Sequence, residues 1–372
     1  MRTGHPLSAL VGGVNACLHC TLPRPATEPV RLHSPAAATL AWLAGPALAL
    51  LLGIGPAAAA TRDFYFSPLG SDRGLTQNTV TAMEQDPQGF VWVATQGALH
   101  RYDGQRFQPW RHNPLDPSSL PDSHITALAL DGGRALWVGT YSEYLSRLDL
   151  GNGQIRRFTP SAGDYPHRQV LAVLPYRGQV WVATAAGLEP VAPDTGHNRA
   201  VLGMTAPASG EMPRQRLLAT RDGQAWYGGP QGLFRIDTRG ELQPVGPPEP
   251  VMSLHHDHTG RLWVGRRDGL HRLHSNGQEL VRAWPEQAPS DRQEVRALVE
   301  ATDHRLWFSV YGRGLRRFDP ATGQVETVHE EPGIEAALPD DSVAALMVDR
   351  GGMLWVGGQL PGVSITVPRG WH

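Results

Sequence analysis

Few groups in this sequence could do chemistry, and their spacing narrows the choice further. The densest titratable run is His255-His256-Asp257-His258, with the imidazoles and carboxylate that ligate transition metals. In an extended segment His255 and His256 point to opposite faces. Asp257 also falls at a turn position that recurs along the chain. No metal site is therefore assigned from the sequence. Cys17 and Cys20 are the only cysteines. Their C-x-x-C spacing has neither further ligands nor a βαβ context, so no redox or zinc role follows. All 33 basic residues are Arg, which removes Schiff-base, P-loop and kinase-type lysines. No catalytic residue and no cofactor is expected.

The candidate binding residues lie in short polar turns. They are Tyr141, Glu143 and Tyr144, then Arg266 and Arg267, then Tyr311 and Arg313. Together they could form an aromatic and charged rim for a sugar or peptide fragment. The competing reading is ordinary solvated turns, since loops are polar by default. Two further loops, Leu120–Ile125 and Leu338–Val343, match each other in wording (LPDSHI and LPDDSV) and read as structural.

What positions these turns is a repeat. A strand-like segment centred on Trp recurs at Trp92, Trp137, Trp181, Trp226, Trp263, Trp307 and Trp355, with intervals of 45, 44, 45, 37, 44 and 48 residues. Before most copies runs an apolar stretch ending in an acidic, Gly-containing turn, such as VTAMEQDPQG or VMSLHHDHTG. Asp there accepts local backbone bonds and Gly takes positive φ, which suits a tight hairpin. A Gly-containing turn, a third strand such as LHRYD and a fourth such as FQPW follow. Four short antiparallel strands in about 44 residues is the arithmetic of a propeller blade. The seventh copy lacks a fourth strand, while Phe64-Tyr65-Phe66 is an unassigned strand near the start. Pairing the two closes the ring without an orphan edge. The expectation is an all-β, seven-bladed β-propeller whose last blade is closed by an N-terminal strand, with no helix.

Residues 1–60 read as a leader. Residues 39–55 are uncharged and apolar, and Ala58-Ala59-Ala60 supplies a small-residue cleavage site. This predicts a secretory signal cleaved near Ala60/Thr61, with residues 1–30 as an over-extended start. A membrane anchor is the alternative, but a run broken by Gly45-Pro46 is short for a span. Residues 61–372 form the propeller domain, in the periplasm or secreted. Net charge is −2 without a basic stripe, so no nucleic-acid partner is expected.

The wording GLTQNTVTAMEQDPQGFVWVATQGALHRYDGQRFQPW followed by NPLDPSSLPDSHITALALD resembles the regulator-propeller repeats of two-component sensors. The D-x-x-G-x-[LV]-W-[VI]-[GA]-T core is strong at Trp92, Trp137 and Trp355 and weaker at Trp181 and Trp226. The resemblance covers about residues 63–367. It implies the extracytoplasmic half of a hybrid histidine kinase or diguanylate cyclase, without its output domain. The expected function is ligand sensing, the ligand a small molecule such as a carbohydrate, and the partners the missing C-terminal receptor domains. The alternatives are a stand-alone periplasmic propeller enzyme of lyase or lactonase type and a protein-binding scaffold. Inner strands that are mostly apolar favour the sensor.

Overall fold

The computed structural model describes residues 64–367, apart from 161, 163–164, 199–201, 204–215, 220–222, 286–291, 332, 335 and 360–361. The leader expectation lies outside the described residues. The chain divides into Met1–Ala59 and Ala60–His372, and everything described belongs to the second unit. No described helix is long and apolar enough to cross a membrane.

Seven four-stranded antiparallel sheets follow one another along the chain. Their innermost strands begin at Val80, Ile125, Val170, Arg216, Val251, Val295 and Ala345. Each packs beside the next around a ring, and that of blade seven returns to blade one. Blade seven takes its outer strand from the start of the domain. Tyr65–Leu69 pairs antiparallel with Val363–Val367, with Phe66 opposite Thr366. The closure predicted from the orphan strand is what the ring shows. Besides a short 3-10 turn at Ser71–Arg73, the described residues hold one helical turn, Tyr165–Arg168, in the loop entering blade three. Four residues are too few to give a periodic signal.

The repeat wording has a packing cause. Each of the seven Trp side chains is buried and packs onto the next blade. Trp92 meets Leu128 and Val138, Trp137 meets Val173 and Val182, and Trp355 meets Val80 and Val93. Two residues after the Trp stands Gly, Ala or Ser. A β-carbon added at Gly139 would lie 2.4 Å from Val170 Cγ1, and one at Gly265 2.5 Å from the Val295 carbonyl oxygen. The next inner strand crosses too close for anything larger.

The acidic turn does two jobs. In four blades the Trp indole N–H donates to an Asp six residues earlier: Trp92 to Asp86 at 2.8 Å, Trp137 to Asp131 at 3.1 Å, and Trp263 to Asp257 and Trp355 to Asp349 both at 2.8 Å. The other carboxylate oxygen takes backbone N–H groups of the turn, as Asp257 does from Thr259 and Arg261. Burial alone would raise the Asp257 pKa. Hydrogen bonds from Thr259, Trp263 and Arg261 outweigh it and hold the carboxyl well below the usual carboxylate range. Blade three lacks the Asp because Arg177 and Gly178, both with positive φ, make a two-residue hairpin instead.

Candidate functional site

One face of the ring gathers the loops that enter the inner strands and those between second and third strands. A recurrent bond ties the two kinds together. Gln96 N–H donates to Thr79 O, Tyr141 to His124 O, Ala185 to Gln169 O and Tyr311 to Glu294 O, all at 3.0–3.2 Å. The matching LPDS and LPDD loops are structural, as expected. Asp122 accepts from Ser142 N–H and Oγ at 3.0 and 2.8 Å, and Asp340 accepts from Ser342 N–H at 2.7 Å.

Inside the ring lies a cavity of about 210 Å³ lined by inner-strand residues of blades one, two, three, five, six and seven. Its charged lining among the described residues is Glu84 and Arg296. Thr81 and Thr126 use their hydroxyls on the next blade, donating to Ile125 O at 2.7 Å and Val170 O at 2.6 Å. These two Thr and Arg296 occupy the bulged second position of their inner strands, where the pairing register shifts. Thr, Leu, Met or Ala fills this column in blades one, two, three, five and seven, so Arg296 is the charged exception among the described residues.

The seven predicted rim residues fall into separate clusters. Tyr141 stacks on His124 with centroids 4.6 Å apart, and Glu143 pairs loosely with Arg168 at 3.7 Å. Tyr144, in the same loop, is not on the rim. It is fully buried, and its hydroxyl donates to Glu189 of blade three at 2.7 Å. Its φ of 62° turns the side chain inward, a reversal that residue type does not announce. Arg266 is likewise buried, ion-paired with Glu249. Beside it Asp268 receives His271 and Arg282, so this loop is a charge-matched brace. The Arg267 carbonyl accepts Gln293 N–H, linking blade five to the entry of blade six. The Arg313 carbonyl accepts from Arg316 at 2.8 Å.

Glu143, Tyr311 and Arg313 are the exposed members, and Tyr311 is the exposed aromatic one, with 47% of its surface free. The Arg296 guanidinium lies 3.2 Å over its ring and contacts Glu294 at 3.2 Å. This cation–π pair joins the cavity to the loop face. Aligning the inner strands of the repeats would have revealed Arg296 as the odd residue, and the sequence reading passed over it.

Glu84 is the second feature missed. Burial pushes its carboxyl up to about 7. A native state that holds this proton more tightly than the unfolded chain loses stability as pH rises from the ordinary carboxyl range towards 7, with no penalty below that range. Glu84→Gln therefore raises Tm by several degrees near pH 8 and leaves it unchanged near pH 4. Thermal unfolding of both proteins across that range is the check, and a pH-independent difference would refute the buried-charge account.

Residues 74–97 match the family described as the two component regulator propeller. These residues lie in the first of the seven blades, so the match covers one repeat. A histidine kinase of Formosa agariphila is 38% identical over 58 residues, 16% of this chain and 4% of that protein. The extracellular domain of a hybrid two-component system from B. thetaiotaomicron superposes with a TM-score of 0.69 at 20% identity, over 82% of this chain and 42% of that one. Virginiamycin B lyase from Staphylococcus aureus gives 0.62 at 15% identity, over 82% and 99%. At these identities the structures share the fold. The chain spans about two fifths of the length of the first of them.

Proposed function

We propose that this propeller is an extracytoplasmic sensor module of a signalling receptor, of the regulator-propeller kind, located in the periplasm or at the cell surface, and that its ligand is a carbohydrate. The observation that carries the reading is the Tyr311–Arg296–Glu294 group, an exposed ring backed by a guanidinium where the cavity meets the loop face. An open aromatic face stacks on a sugar ring, and the flanking charged groups take its hydroxyls. The similarity to receptor ectodomains supports the sensing role. No imidazole lines the cavity among the described residues, so the His–Glu pair of a lyase-type site is not assembled there. Signalling would follow from differential affinity for two arrangements of neighbouring receptor domains.

The test is an oligosaccharide array probed with the wild-type chain and with Tyr311→Ala. Binding to a defined glycan, weakened more than about tenfold by the substitution, is expected for an aromatic anchor. Loss of no affinity in the variant, or absence of any bound glycan, would overturn the carbohydrate reading.

A further inference from the structure

On the face that carries the acidic turns, blades five and six meet through three side chains. Glu300 ends the inner strand of blade six. Its Oε2 accepts His258 N–H of blade five at 2.8 Å, and its Oε1 lies 2.5 Å from His258 Nδ1. His304 Nδ1 stands 3.6 Å from the same oxygen, and the two imidazoles are stacked with centroids 3.7 Å apart. All three donor atoms lie within 4.8 Å of one another.

Part of this arrangement is ordinary blade clasping. Between blades seven and one, Arg350 N–H donates to Gln85 Oε1 at 2.8 Å, from equivalent positions. There a neutral amide suffices. At the five–six seam the acceptor is a carboxylate and two imidazoles converge on it. His304 also stands where turns of blades one, five and seven have Gly89, Gly260 and Gly352, all with positive φ. Its own φ is 63°, a left-handed conformation that disfavours a β-carbon. The fold holds an imidazole where glycine would be easier, and strain of this kind concentrates at functional positions. His255, opposite Trp263 on the adjoining strand, has a buried Nε2 without a hydrogen-bond partner but is not one of the three converging groups.

We infer that His258, Glu300 and His304 form a binding site for a late first-row divalent cation, Zn²⁺ above all. Two imidazole nitrogens and one carboxylate are the donor set such ions prefer over Ca²⁺ or Mg²⁺, and three protein ligands leave a coordination position open to solvent. Spreading His258 and Glu300 apart by under about 1 Å brings their donors to the separation expected around a tetrahedral ion with bonds of about 2.0–2.1 Å. Bound there, the ion would staple blade five to blade six. This site is independent of the carbohydrate reading, which concerns the other face.

The experiment uses the full chain, stripped with chelator and titrated with Zn²⁺ by calorimetry and by thermal shift. Wild-type protein is expected to bind and to gain Tm. His304→Gly restores the glycine of the other turns and Glu300→Gln copies the Gln85 clasp. Both should fold with unchanged or raised Tm without metal, yet weaken the Zn²⁺ response by more than about tenfold. Absence of Zn²⁺ binding in the wild type would overturn the site. So would equal binding by both variants, which would direct the ion elsewhere, for example to Cys17 and Cys20.

Discussion

Replacing Trp263 with Ala is expected to lower the unfolding free energy by about 3–5 kcal/mol, the range for deleting a large buried aromatic. The indole is 2% exposed and packs against Val295, Leu298 and Phe308 of blade six. Its edge meets Phe318 at a centroid distance of 5.8 Å. Removing it opens a cavity between two sheets whose backbones are held by their own ladders and cannot collapse to fill it. It also leaves Asp257 Oδ2, 1% exposed as a side chain, with Arg261 but without the indole N–H. Trp263→Phe retains most of the packing and loses only the N–H, so the gap between the variants separates the two contributions. Chemical denaturation of the three proteins measures both. A Trp263→Ala protein as stable as wild type would contradict the role of this residue as filler between blades.

Removing the closing strand should be as damaging. A chain beginning at Gly70 lacks Tyr65–Leu69 and exposes the whole edge of Val363–Val367. Phe66 packs against Trp307, Leu354 and Val356, whereas Leu69 packs with Leu75 and Val80 of blade one. One five-residue strand thus seals the seams on both sides of blade seven. Two buried apolar side chains at about 1.5–3 kcal/mol each, together with the ladder, predict a fall in Tm of about 10 °C for a domain of this size. The bare edge is a template for pairing between molecules, so the shortened chain should also self-associate. Calorimetry and size-exclusion chromatography against a chain beginning at Thr61 test this. Equal Tm and a monomeric profile would show that the ring does not depend on its closing strand.

The expected loss at Trp263 shows why the fold was legible. Spacing of the seven Trp, the Gly or small residue two places on and the Asp six places before are contacts made within one blade or with the next in line. Every repeat must satisfy the first two and four of the seven satisfy the third, so the pattern recurs in the sequence. The closing strand was legible by counting, because a blade without a fourth strand must borrow one. Site residues obeyed no such rule. Tyr144 looked like its neighbour Tyr141, yet a positive φ and a partner 45 residues away in Glu189 bury it. Arg266 looked free until Glu249 was placed beside it. The run His255–His258 was set aside because strand alternation separates its members, and that separation is real. The ligand group that forms instead takes His258 from the run and Glu300 and His304 from the following blade.

By itself the sequence determined an all-β chain, its blade count, the register of each Trp strand and the strand that closes the ring. These follow from short-range chemistry: hairpin turns, alternation of faces and side-chain volumes between stacked sheets. Tertiary structure alone decided which loop residues stay exposed, that Arg296 reaches from the cavity onto Tyr311, and that three titratable groups converge at the five–six seam. Those outcomes depend on how neighbouring blades are rotated and spaced. No single repeat encodes that relation, because its donors and acceptors lie about one blade apart in the chain.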